Sequence, residues 1–113
     1  MNINKFGESH KYRGHTLPKA AVALVNTAAL CGWIVGWQWQ QDSAGHAVVT
    51  VQVGDSETGE RFQYTWHSRA TSGRSLRLFG TGLYVPERGH AENRAPSLKA
   101  ATHRVREVHA QRS

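Results

Sequence analysis

The chain lacks most of the signatures that would declare a chemistry. It has one cysteine in 113 residues, Cys31, so an internal disulfide is excluded. No basic stretch followed by an apolar run stands at Met1, which argues against a secretory leader and makes a reducing cytoplasm the expected compartment. Its seven histidines are not accompanied by a cysteine or carboxylate cluster. His10 with His15 and His103 with His109 both miss the i, i+4 spacing of a helical ligand pair, so no metal site is expected. No nucleophile motif, phosphate-cradling glycine loop or cofactor fingerprint is present. The glycines of "FGTGLYVPERG" read as turns, and neither an enzyme nor a cofactor is expected. Acidic residues are also few, eight against fourteen Lys and Arg, for a formal charge of +6.

That charge is unevenly placed. Four basic residues face one acidic between Met1 and Trp37, one faces four between Gln38 and His67, and nine face three from Ser68 to Ser113. Two basic ends flank a mildly acidic middle, so an anionic partner would meet the ends first. The length fits a single domain with one core. Ten aromatics among 39% hydrophobic residues suffice to build it, while a mean hydropathy of −0.54 points to loops and tails.

Hydrophobic periodicity divides the chain. Residues 1–15 show none and read as a flexible basic arm. Leu17, Ala21, Leu24, Ala28 and Cys31 recur at helical spacing, predicting a helix over about 17–31 with Thr16 as N-cap, Pro18 in the first turn and Gly32 as the stop. The period then changes to two. Trp33, Val35, Trp37 and Trp39 alternate with Ile34, Gly36, Gln38 and Gln40; "AVVTVQV" and "ERFQYTWH" repeat the alternation after "QDSAGH" and "GDSETG" turns. Three antiparallel strands follow, with an apolar and aromatic face that makes the tryptophans core rather than a stacking platform. Ala20 to Trp37 touches the lower length limit of a membrane span, but a capped helix followed by a strand explains the same run, and no membrane association is expected.

Residues 68–95 read as a long Arg- and Gly-rich connection in which "SLRLFGTGLYV" could form a short extra strand. "APSLKAATHRVREVHAQRS" predicts a second helix opened by Pro96 and Ser97, with Leu98, Ala101, Val105 and Val108 as its buried stripe. The expected fold class is therefore α+β: a three-stranded antiparallel meander with two helices on one face, in the order α-β-β-β-α. A single domain spans 16–110, and 111–113 form a tail. Lys99, His103 and Arg106 share a separate face of the second helix at i, i+4, i+7, with Arg104 nearby. Arg69, Arg74 and Arg77 crowd the preceding connection. Such density of basic side chains suits phosphate contacts, so nucleic acid, DNA or RNA, is the expected partner. A protein-interaction module is the alternative, since arginine and aromatic side chains serve hot spots equally well.

The element order resembles the double-stranded RNA-binding domain, and two stretches are similar in detail. "AGHAVVTVQVGD" resembles that family's histidine-bearing turn leading into its second strand, which implies a minor-groove contact for His46. "SLKAATHRV" resembles the start of its second helix, which implies a phosphate contact for Lys99. In composition the chain is similar to small orphan proteins of actinobacterial phages and mobile elements. That resemblance implies a host cytoplasm and, for the alternative reading, a phage inhibitor docking on a host protein.

Overall fold

The computed structural model describes residues 11–12, 15–41, 43–67, 77–78, 82–86 and 92–112. Within the N-terminal arm, β1 (Lys11–Tyr12) pairs antiparallel with β2 (His15–Thr16). Residues 1–10 lie outside the described residues.

Helix α1 spans Lys19–Leu30. Thr16, expected as the cap, is engaged opposite Lys11 in the small hairpin, and Pro18 takes the cap position instead. Its φ of −55° and ψ of 143° leave its carbonyl to receive the amides of Ala21 and Val22 at 3.0 and 3.2 Å. The helix stops at Gly32, whose φ of 81° is the left-handed conformation that lacks a Cβ penalty only in glycine. Gly32 N–H then donates to Ala29 O and Trp33 N–H to Ala28 O, which satisfies the last carbonyls and aims the chain into the sheet.

The three long strands are β3 (Ile34–Gln41), β4 (Ala47–Gly54) and β5 (Arg61–His67), an antiparallel meander. Register sets Val35, Val53 and Phe62 in one row, Trp37, Val51 and Tyr64 in the next, then Trp39, Val49 and Trp66. Of these, the eight other than Trp39 fall on one face because side chains alternate along a strand. Of the connection from 68 to 95, residues 77–78, 82–86 and 92–95 are described, and they add strands to the sheet. These are β6 (Arg77–Leu78) and β7 (Leu83–Val85), which share the second edge of β5, and β8 (Asn93–Arg94) beyond β7, completing a six-stranded sheet.

Helix α2 spans Leu98–Gln111, opened by Ser97, whose Oγ accepts from Ala100 N–H at 3.2 Å. Both helices cover the same sheet face, α1 over β3 and β4 with α2 alongside it. Ala21, Leu24, Val25 and Ala28 of α1 and Ala101, Val105 and Val108 of α2 meet the valines of β4 and the aromatics of β5 in one buried cluster. Full burial of each large side chain there contributes about 1.5–3 kcal/mol. Trp33 is buried in this core and stacks on Phe62 at 6.2 Å, and Phe62 on Tyr84 at 4.6 Å. Val35 and Trp37 are only half-buried. They sit on the outermost strand, where α1 overlaps the sheet incompletely.

Gly82 lets β7 approach β5. A Cβ at this position would lie 2.7 Å from Gln63 O and from Tyr64 Cδ1, so only a hydrogen fits.

Candidate nucleic-acid interface on the second helix

The site is built from the way α2 is fastened. Its first turn lies beside the middle of β5, where Tyr64 Oη donates to Pro96 O at 2.8 Å. Burial raises the Tyr64 hydroxyl well above the ordinary phenol range, so it stays a donor. The C-terminal half of α2 is held by the β4–β5 turn, residues 55–60. Asp55 organises that turn: its Oδ2 accepts from Thr58 N–H at 2.9 Å and Thr58 Oγ1–H at 2.7 Å, and its backbone exchanges with Gly59 and Glu60. Gly59, at φ 79°, makes the reversal.

Two carboxylates of this turn point inward and each receives an arginine from α2. Glu60 is 1% exposed; Arg104 Nε and Nη2 reach it at 2.9 and 3.2 Å, and Tyr84 Oη donates to it at 2.8 Å. Asp55, 2% exposed at its side chain, takes Arg112 in a two-pronged pair through Nη1 at 2.8 Å and through Nη2. The Arg112 hydrogen bonds hold the Asp55 carboxyl far below the usual carboxylate range, with the Thr58 donors adding to them. Burial, followed by the Glu60 contact, pushes Tyr84 up to about 12. The Glu60 contact likewise raises Arg104, so its guanidinium stays charged. Arg112 Nε also meets Glu57 at 3.0 Å, Arg104 meets Glu107, and Arg61 meets Glu92 at 2.9 Å.

The pairing has a plain electrostatic result. All five described carboxylates, Asp55, Glu57, Glu60, Glu92 and Glu107, are matched by arginine. The excess positive charge therefore falls on other residues. On α2 these are Lys99 and Arg106, with His103 between them, all exposed on one helix face and making no ion pair among the described residues. No acidic residue occupies the first turn of α2, so Lys99 has no local counter-charge there.

Of the residues expected to contact phosphates, Lys99, His103 and Arg106 are thus brought together. Arg104 is placed differently: its guanidinium, still partly exposed, reaches the buried Glu60 carboxylate, which the sequence separates from it by 44 residues. Arg94, at the sheet edge, is exposed. His46 lies on the β3–β4 turn, at the opposite end of the sheet from the turn that clamps α2. Arg77 is in β6 opposite His67, and Arg69 and Arg74 lie outside the described residues. Among the described residues no group of His, Cys, Asp and Glu could hold a metal, and no helix is long and apolar enough to cross a membrane.

The sheet face away from the helices carries Gln38, Gln40, Thr50, Gln52, Gln63 and Thr65, with Thr50 and Thr65 hydroxyls 3.2 Å apart. Two shallow depressions of 330 and 270 Å³ meet there at Gly36 and Gln52. Gly36 is their low point, since a Cβ on it would meet nothing within 4 Å. Phe62, Tyr64, Trp66 and Trp33 are all on the other side, so they offer no stacking surface on this face. Comparison of the chain with protein-family models, with curated proteins and with solved structures finds no match.

Proposed function

We propose that the protein binds nucleic acid through the phosphate backbone, with Lys99, His103 and Arg106 of α2 as the first contacts. The observation that supports this reading is the complete matching of the described carboxylates by Arg61, Arg104 and Arg112, which leaves the outer face of α2 cationic without competition. Arg104 then serves as an anchor that sets the height of the helix, and the stripe beside it meets the ligand. A double-stranded RNA-binding-like mode adds His46 at the groove edge and Arg69, Arg74 and Arg77 from the connection, in a small protein of phage or mobile-element type acting in the host cytoplasm.

The mechanism is release of condensed counterions, so affinity should fall steeply with salt. Fluorescence anisotropy with duplex and single-stranded DNA and RNA at several salt concentrations tests it. The two permanent cations, Lys99 and Arg106, correspond to a log–log slope of about −1.5 to −2. Absence of binding at low salt ends the proposal. The same ion pairs favour a second reading: Arg61–Glu92 and Arg104–Glu107 interrupt any continuous positive band, as on a protein-docking module. A host-protein partner retained in a pulldown after nuclease treatment, with no nucleic-acid binding, would select it.

A further inference from the structure

Among the described residues, β3 and β8 are the two ends of the sheet, and they are treated in opposite ways. β8 is two residues long, contains Arg94 and follows Glu92, so a foreign strand finds little backbone and two charges. β3 is eight residues long and in unbroken register with β4, with no charge, proline or bulge. Long edge strands without such guards are templates for further pairing.

The absence of charge extends beyond the strand. From Ala20 to Gln41 the sequence contains no Asp, Glu, Lys, Arg or His, although charged residues make up 19% of the chain. This stretch is α1 and β3, the flank of the molecule on the β3 side. Leu30 at the end of α1 is 84% exposed and Ile34 at the start of β3 is 68% exposed, and Val35 and Trp37 are half-covered behind them. A surface of this kind on a chain otherwise rich in charge is one that another molecule covers.

We infer that β3 pairs antiparallel with β3 of a second copy, forming a closed two-fold dimer with one continuous sheet. The second copy is the occupant the geometry favours, for three reasons. An antiparallel two-fold pair sets residues of like parity opposite each other, so the apolar face of Val35 and Trp37 stays on the helix side in both copies. The same symmetry lays the uncharged flank of one α1 beside that of the other, so neither needs a charged complement. And because the opposite side of the sheet ends, among the described residues, in β6 and β8 of two residues each, β3 of one copy finds no second long edge to extend from, so assembly closes at two rather than growing into a fibre. The inference does not depend on nucleic-acid binding.

Sedimentation velocity of the full chain from about 1 to about 200 µM tests it, a range spanning the affinities of weak and stable dimers. The expected result is a species of twice 12.6 kDa that grows with concentration. Ile34→Lys with Gln38→Lys, both on the exposed face of the edge strand, should weaken dimerisation at least about tenfold with an unchanged far-UV spectrum, since edge lysines block strand addition. Hydrogen exchange of wild-type β3 amides gives a readout independent of any variant, and these amides should slow as concentration rises. A monomer throughout the range, a dimer equally strong in the double variant, or concentration-independent β3 exchange would each overturn the inference. A monomer whose β3 accepts a foreign peptide falls among those refuting outcomes.

Discussion

Two sides of one helix divide the basic residues of α2 between opposite tasks. On the side facing the β4–β5 turn, Arg104 and Arg112 are drawn to Glu60 and Asp55 and hold the helix to the sheet. On the outer side, Lys99, His103 and Arg106 meet no carboxylate among the described residues and are exposed. Residue type does not separate the groups, since arginine occurs in both. What separates them is whether an acidic residue from a distant strand end comes within reach. A count of basic residues overstates the phosphate-binding capacity of this helix by the anchors it includes.

The contrast can be broken from the anchor side first. Glu60→Ala removes the shared acceptor of Arg104 and Tyr84, leaving Arg104 only Glu107, and should cost about 3 kcal/mol in denaturant unfolding. It should leave the salt slope of nucleic-acid binding unchanged if the protein remains folded. Asp55→Ala should cost about 2–3 kcal/mol, because the turn loses its Thr58 bonds along with the Arg112 pair. Asp55 also sets a pH dependence. Its carboxyl is lowered in the native state, so the unfolded chain binds the extra proton; the stabilisation is complete above the unfolded value of about 3.9 and disappears as acid carries the pH down through the native one. Stability measured between pH about 2 and about 5 should rise steeply in the wild type and less in Asp55→Asn.

Ser97→Ala should cost about 1 kcal/mol by exposing the Ala100 amide, and fraying should appear first in exchange of the amides nearest Lys99. The outer stripe should show the smallest effect on stability and the largest on binding. Lys99→Glu and Arg106→Glu should each change unfolding by less than about 0.5 kcal/mol. Each should weaken nucleic-acid binding roughly tenfold at low salt and reduce the salt slope by about one. If Arg104→Gln weakened binding more than these two at equal foldedness, the division between anchors and contacts would be wrong.

Much of this was legible where a local period carries the signal. The alternation in β4 and β5 and the Ala101, Val105, Val108 stripe each express one buried face, and the face is where the pattern says, while Val35, Trp37 and Leu98 at its margin are only partly covered. Strands of two or three residues hold no period. β6, β7 and β8 exist because β5 presents a free edge and because Gly82 permits the approach, neither of which is local information. The partner of Arg104 is hidden for the same reason. A signal was nonetheless present: three acidic residues in the six of the β4–β5 turn exceed what a turn needs, and a basic C-terminal helix is their natural complement. The N-cap moved from Thr16 to Pro18 because pairing of Thr16 with Lys11 competes with capping, a contest that propensity alone does not resolve.

Gly82 has a bearing on descent as well as on packing. A position where one methyl group would collide with a backbone oxygen, an aromatic ring and Ala95 at once admits no drift. Any lineage that keeps this sheet therefore keeps that glycine, together with an acidic pair at the start and end of the preceding turn and two arginines eight residues apart near the close of the chain. Those few positions, rather than overall resemblance, are the hallmark by which distant kin could be traced.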